Sequence, residues 1–193
     1  MRSILLVLLA LPGLGHAADY VAAPGSTLAF RASFQGEPTD VRFARFTPAI
    51  RFDPGHLETA RFDVAIDLAS VATGQDDGDS LVRGEDFLAT AKFPQARYTA
   101  RTVRSLGNGR FAADGELLLR GVRRPATLEF RWTPGPRPVL EGQARLRRVD
   151  FGITAGEFGS EIGNEVQVNT RLVLLPAPAS RPPAKPATAT PKR

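Results

Sequence analysis

The sequence predicts an all-β domain of antiparallel strands, and three observations support that prediction. Apolar and polar residues alternate with a period of two along several segments, so each segment has one buried and one solvated face. Turn residues separate these segments, among them Gly107-Asn108-Gly109 and Pro134-Gly135-Pro136. Only the stretch from Gly78 to Thr90 has the character of a short helix. Roughly eight strands and one short helix fit a closed up-and-down barrel or a sandwich, and periodicity alone leaves both open.

The clearest strands are four segments in which apolar side chains recur at every second position. They are residues 28–34, 62–68, 128–133 and 166–174, and weaker strands fit 41–52, 96–105, 110–120 and 139–148. A closed barrel of about eight strands has no exposed edge and is wide enough to enclose one small ligand. Ten of the twelve Phe residues lie between positions 30 and 130, so their rings either fill a solid core or line an apolar tunnel.

The two ends of the chain differ from its middle. Residues 1–17 combine a basic residue, an apolar run and small residues, the pattern of a secretory signal peptide cleaved before Ala18. Residues 176–193 are basic and rich in Pro and Ala, which predicts a disordered tail. The domain is therefore expected at residues 18–175. We expect an exported protein, and the excess of Arg over Lys, common in GC-rich bacteria, favours the periplasm.

Charge and composition exclude several classes of function. The chain has a net charge of +5, but Arg2 and the four cations of residues 176–193 account for all of it. A neutral domain argues against nucleic acid as a partner. The absence of Cys excludes a disulfide framework, a thiolate metal site and a Cys nucleophile. His56 is the single His beyond the signal segment, so a multi-His metal site is excluded and an exposed loop His is favoured over a catalytic triad.

The acidic residues give no clear enzymatic or metal site either. Asp76, Asp77 and Asp79 lack the Gly and Glu spacing of an EF-hand, which favours a solvated turn. Asp63 and Asp67 lie on the solvated face of their strand, where nothing indicates the cleft and perturbed pKa values that hydrolysis needs. We therefore predict no catalytic residues, no metal and no enzymatic activity.

An ordered set of short motifs extends from Tyr20 to Leu175. Its members are Phe46, Phe52-Asp53-Pro54, Ile66-Asp67, Ser70-Val71, Thr73-Gly74, Asp79, Leu81, Asp86-Phe87-Leu88, Phe93-Pro94, Gly115-Glu116-Leu117, Gly121-Val122, Pro125, Arg148, Asp150-Phe151-Gly152-Ile153 and Gly163-Asn164-Glu165-Val166. In this order they resemble the YceI-like family of exported lipid-binding barrels. The chain departs from the family's pattern at Gly78, where Arg is frequent, and at Arg120, where His is frequent.

The resemblance implies an eight-stranded antiparallel, lipocalin-like barrel that holds a polyisoprenoid, such as a quinone-type chain, in an apolar interior. No cofactor other than this lipid is expected. The implied ligand-binding side chains are the large apolar and aromatic residues of the inner face: Phe30, Phe43, Phe46, Phe62, Val64, Ile66, Phe87, Phe93, Tyr98, Leu117, Phe130, Trp132 and Val168. At the barrel mouth, Arg148 and Asp150 are candidates for contact with a polar head group, and a structural pair hydrogen-bonded to the backbone is the alternative. Asp86 is a candidate for capping or tying down the short helix.

The expected function is non-enzymatic sequestration or transport of an isoprenoid or another long-chain lipid. Two alternatives stay open. One is a structural or stress-associated barrel with a filled core and no ligand. The other is an accessory to membrane electron transfer, with a membrane surface or a cytochrome b-type protein as its partner. The sequence leaves the oligomeric state open.

Overall fold

The computed structural model describes residues 19–178, and the predicted signal peptide and nearly all of the predicted tail lie outside them. The strands are β1 (Asp19–Ala22), β2 (Thr27–Phe34), β3 (Glu37–Phe43), β4 (Phe46–Arg51), β5 (Arg61–Asp67), β6 (Val71–Ala72), β7 (Gln95–Gly107), β8 (Arg110–Leu119), β9 (Val122–Thr133), β10 (Val139–Arg147) and β11 (Ile162–Pro176). The helix α1 spans Asp76–Arg83. Short 3-10 turns lie at Leu57–Thr59, Leu68–Ser70, Arg148–Phe151 and Gly156–Phe158.

Eight of these strands close into an antiparallel barrel, in the order β1-β4-β5-β7-β8-β9-β10-β11. The ring closes where β1 pairs with β11, with Val21 opposite Leu175. The predicted barrel is therefore confirmed, and the sandwich alternative is excluded. Pro176, predicted to begin the tail, is the last residue of β11 and pairs with Tyr20.

The long strand β11 changes its partner along its length. Its last residues pair with β1, while residues 166–171 pair with β2. The β2–β3 hairpin thus takes the place of β1 at the other end of the barrel. There β3 reaches the short strand β6 through Arg42 and Phe43 alone. Residues 37–41 of β3 consequently have no strand partner on that side within the described chain.

Two predicted elements differ from the structure. The segment 41–52 is two strands, because the chain turns at Ala44 and Arg45 and moves from pairing with β2 to pairing with β5. The buried residue Ser70 fixes this corner, because its carbonyl accepts from Ala44 N at 3.0 Å and its hydroxyl accepts from Arg45 N at 2.9 Å.

The predicted helix 78–90 also has different limits. It begins two residues earlier, at Asp76, and ends at Arg83, because Gly84 takes an extended conformation. Three acidic side chains in its first turn complement the positive end of the helix dipole. Turns follow as far as Lys92.

Candidate functional site

An apolar cavity of about 550 Å³ occupies the half of the barrel that contains the β2–β3 hairpin. The inward side chains of the strands form its wall, and α1 and the following loop cover one side. Its lining is almost entirely aliphatic and aromatic. The lining residues include Leu28, Phe30, Val41, Phe43, Phe46, Ile50, Phe62, Val64, Ile66, Leu68, Val82, Phe87, Leu88, Tyr98, Leu117, Leu119, Leu128, Ala144, Leu146, Phe151, Ile153, Val166, Val168 and Leu172.

The other half of the barrel is filled by an aromatic plug. We use this name for the five rings of Phe52, Phe62, Phe111, Phe130 and Trp132. The Phe52 ring is at the centre, edge-on to three of the others at centroid distances of 4.9 to 5.2 Å. Such edge-to-face contacts add to the apolar burial of the rings. The plug closes one end of the cavity, and Phe62 belongs to both, because its ring also lines the cavity.

The mouth of the cavity lies between the β2–β3 hairpin and α1. Four lining residues are exposed to solvent, and all four lie here: Phe34, Thr39, Gln75 and Leu81. Phe34 and Leu81 are 39% and 42% exposed, so the rim of the mouth carries two large apolar side chains. The mouth coincides with the part of β3 that has no strand partner on this side. The barrel is therefore closed by the plug at one end and open beside α1 at the other.

Hydrogen bonds attach α1 to the barrel beside this mouth. The Asp79 carboxylate accepts from the Thr73 backbone N–H at 2.6 Å and from the Thr73 hydroxyl at 2.8 Å. These bonds lower the pKa of Asp79 below its usual value. Arg83 donates to the carbonyls of Ala69 and Val71 at 3.1 and 3.2 Å. Asp79 thus has a structural role. The predicted turn is wrong for Asp76, Asp77 and Asp79, which lie in the first turn of α1, although Asp76 and Asp77 are exposed as predicted.

Arg148 is buried and organises the loop on another side of the cavity. Its Nη1 donates to the carbonyls of Ile153 and Thr154 at 2.8 and 2.9 Å. Its Nη2 donates to Gly159 and Ile162 at 2.6 and 2.9 Å, and its Nε donates to Gly163 at 3.3 Å. A guanidinium has five N–H groups, and here each is directed at a backbone carbonyl. No donor remains for a head group, so the geometry favours the structural alternative for Arg148.

The other charged candidates are not part of the cavity wall. Asp150 is half-buried and does not line the cavity. Arg148 donates to backbone carbonyls and not to the Asp150 carboxylate, so the alternative of an Arg148–Asp150 pair is not formed. Asp86 holds the loop after α1 through its backbone carbonyl, which accepts from Ala155 N at 2.9 Å. Its side chain does not cap the helix within the described structure.

Ten of the thirteen predicted ligand-binding residues line the cavity, and three do not. Phe130 and Trp132 lie in the plug, where they are 3% and 7% exposed. Phe93 lies outside the cavity, with its ring 3.0 Å from where a Cβ at Gly121 would sit. Lining residues that the prediction omitted include Leu28, Leu128, Ala144 and Val166, and the period-two pattern of their strands was the signal for them.

Tyr98 places a polar group at the boundary between cavity and plug. Its hydroxyl donates to the Ala113 carbonyl at 2.8 Å. Burial raises the pKa of the Tyr98 phenol well above its usual value, so the hydroxyl stays protonated and keeps this bond. In the described part of the chain, every buried side-chain nitrogen and oxygen has a hydrogen-bond partner. The cavity wall therefore presents no unpaired buried polar group to a ligand.

Several other titratable residues form surface pairs. Asp63 pairs with Arg97 and Asp67 with Arg45 on the outer face of the barrel. His56 is an exposed loop residue within 3.0 Å of Asp53. Residues 19–178 contain no cluster of three or more His, Cys, Asp or Glu side chains suited to a metal. The same residues include no helix of the length and apolar character needed to cross a bilayer.

Comparison with known proteins agrees with this architecture. The sequence model of the YceI-like domain family matches residues 20–174 of this chain. A UPF0312 protein of Shewanella denitrificans is 32% identical over 165 residues, which are 79% of this chain and 86% of that protein.

Two solved structures share the fold. Burkholderia cenocepacia BcnA has a TM-score of 0.73 at 23% identity, over 76% of this chain and 94% of that one. A polyisoprenoid-binding domain from Saccharophagus degradans has a TM-score of 0.65 at 21% identity, over 84% of this chain and all of that one. With the family model covering the whole barrel, the chain belongs to the YceI-like family.

Proposed function

We propose that this protein is a non-enzymatic binding protein of the periplasm that sequesters or carries a polyisoprenoid or quinone-type lipid. The observation that supports this most is the apolar cavity, closed by the plug and open beside α1. A prenyl chain fits such a site because it needs apolar contact along its length and no hydrogen bonds. The Saccharophagus degradans domain, which has the same fold, is described as polyisoprenoid-binding.

Apolar burial supplies enough free energy for useful affinity. A chain that loses on the order of 400 Å² of exposed surface gains roughly 10 kcal/mol before any costs. Ordering the chain and losing its free motion offset several kcal/mol of this gain. Micromolar or tighter binding is the expected result. A head group would remain at the mouth, where Thr39 and Gln75 are the exposed polar residues.

The aromatic plug favours a second candidate, a structural barrel without a ligand. The end of the barrel opposite the mouth is already filled by closely packed rings, as a purely structural core would be. The cavity distinguishes the two functions, because a structural barrel gains nothing from unfilled apolar volume.

A membrane surface or a cytochrome as partner is a further proposal. The exposed Phe34 and Leu81 at the mouth are the residues that such a partner would contact.

The test is lipid carried by the protein from its native host. Protein purified from the cell envelope is extracted with organic solvent, and mass spectrometry identifies the lipid, which we expect at about one per chain. Ala144→Phe places a ring in the cavity and is expected to remove most of the lipid. Ala65→Phe is the matched control, because Ala65 lies between the cavity-facing Val64 and Ile66 on the outward face of β5.

Wild-type protein without lipid, and with no affinity for added prenyl alcohol or quinone, would favour the structural barrel. Equal lipid loss in both variants would show that the cavity is not the binding site.

The proposed periplasmic location has its own test. The intact mass of the envelope protein is expected to correspond to a chain beginning at Ala18, and a retained Met1 would contradict export by a cleaved signal peptide.

A further inference from the structure

The cavity ends at the aromatic plug, so a chain that fills it cannot continue through the barrel. Phe62 and Ile50 form this end, and they are 3% and 1% exposed. The Phe62 ring is 5.5 Å from Phe130 and 6.3 Å from Phe52, centroid to centroid, on its plug side. A ligand tail reaching this point meets close-packed rings.

The volume of the cavity then limits the length of tail that it holds. An apolar cavity of about 150 Å³ binds benzene, which corresponds to roughly 25 Å³ per carbon. On that scale the cavity of about 550 Å³ accommodates on the order of 20 carbons, or about four isoprene units. Longer tails would have to leave through the mouth, past Phe34 and Leu81.

We propose that Phe62 determines chain-length specificity, with a tail of about four isoprene units filling the cavity and further units left outside. This inference rests on the proposed function and specifies the length of the prenyl tail that the cavity binds. Phe62 lines the cavity and belongs to the plug, and its truncation, unlike that of Tyr98, breaks no hydrogen bond. Replacing it with Ala removes about six carbons, which is room for roughly one further isoprene unit.

The test is the affinity of a series of prenyl alcohols for the purified, delipidated protein: geraniol, farnesol, geranylgeraniol, geranylfarnesol and hexaprenol. Titration calorimetry is expected to show a gain of about tenfold per isoprene unit up to geranylgeraniol. Beyond geranylgeraniol we expect less than about a threefold change, because added units contact no further wall. In Phe62→Ala this plateau is expected to move one unit longer, to geranylfarnesol.

Two further variants keep the test decisive. Val64→Phe fills cavity space one inward position along β5 and is expected to move the plateau one unit shorter, to farnesol. It serves alone if Phe62→Ala does not fold. Phe111→Ala is the control, because Phe111 belongs to the plug but does not line the cavity, and its plateau should stay at geranylgeraniol.

The possible results separate the two proposals. The proposed limit on chain length is overturned if wild-type affinity keeps rising to hexaprenol. It is also overturned if the plateau does not move in Val64→Phe. Failure of the wild type to bind any prenyl alcohol or an added quinone overturns the proposed function instead, and the inference falls with it.

Discussion

The two halves of the barrel are built from the same alternating strands but reach opposite results. In one half, inward rings interdigitate around Phe52 and leave no space for a ligand. In the other half, inward residues such as Phe30 and Val168 face a cavity. The difference arises where β11 changes partner from β1 to β2. At the filled end, β1 alone closes the ring beside β11. At the hollow end, the two strands of the β2–β3 hairpin take its place, so the inward side chains of opposite walls no longer meet.

Under the proposed function, this division would place the main source of stability in one half and ligand binding in the other. The more packing contacts a large core side chain makes, the more stability is lost when it is truncated. We therefore expect the plug to stabilise the barrel even without a ligand. Side chains in the hollow half make fewer such packing contacts, and a bound prenyl tail would supply the missing ones.

The largest expected effect compares truncation in the two halves. Phe52→Ala should lower the free energy of unfolding by about 3–5 kcal/mol, because the ring is buried and meets four others. Phe30→Ala, in the cavity wall, should cost less than half as much in delipidated protein. Urea unfolding of both variants measures the difference. Equal costs would show that the wall of the hollow half is packed as tightly as the plug.

A second effect separates the loop beside the cavity from the barrel. Arg148→Met removes all five hydrogen bonds to the loop carbonyls and should cost roughly 1.5–3 kcal/mol. Amide hydrogen exchange should accelerate in residues 153–163 and stay unchanged at Phe62 and Phe111. Uniform acceleration throughout the barrel would mean that the loop and the plug unfold together.

A third comparison adds volume instead of removing it. Ala113→Leu, at a fully buried position against the plug, should destabilise the protein by about 1–3 kcal/mol through overpacking. Ala144→Leu places the same atoms in the cavity and should be nearly neutral in delipidated protein. Thermal melting of both variants provides the comparison. A destabilised Ala144→Leu would contradict the hollow half.

A smaller effect is expected at the boundary between the halves. Tyr98→Phe leaves the Ala113 carbonyl without its side-chain donor and should cost about 1 kcal/mol. Because the ring is retained, affinity for a prenyl alcohol should stay the same. A loss of affinity without a loss of stability would assign the hydroxyl to the ligand.

The alternation of apolar residues located most of the strands but missed β1, and it left the choice between a barrel and a sandwich open. The resemblance to the YceI-like family indicated the barrel and most of the cavity wall. Neither was sufficient to separate Phe62 from Phe130 and Trp132, because all three face inward on their strands. Whether an inward ring meets another ring or a cavity depends on strand pairing far apart in sequence, here the two partners of β11. The role of Arg148 was equally hidden, since its acceptors are backbone carbonyls that any sequence provides.

The smallest expected effect concerns the outer surface, where the two halves should behave alike. Asp19 pairs with Arg51 at the filled end, and Asp40 pairs with Arg31 at the hollow end, each through two contacts of 2.7 Å. Hydrogen bonds from these arginines lower the pKa of both carboxyls below their usual value. All four side chains are about half exposed, so solvent and salt screen the pairs and each contributes little.

Asp19→Asn and Asp40→Asn should therefore destabilise the protein slightly and equally at neutral pH. Because the folded pKa is lowered, each pair stabilises the fold above the unfolded pKa of about 3.9, and this contribution is lost as the pH falls through the folded pKa. Urea unfolding should show each variant just below the wild type at neutral pH and level with it in acid. High salt should remove the same difference. A distinctly larger loss in Asp40→Asn would instead show that its pair holds the unpartnered edge of β3 in place and so helps to set the width of the mouth.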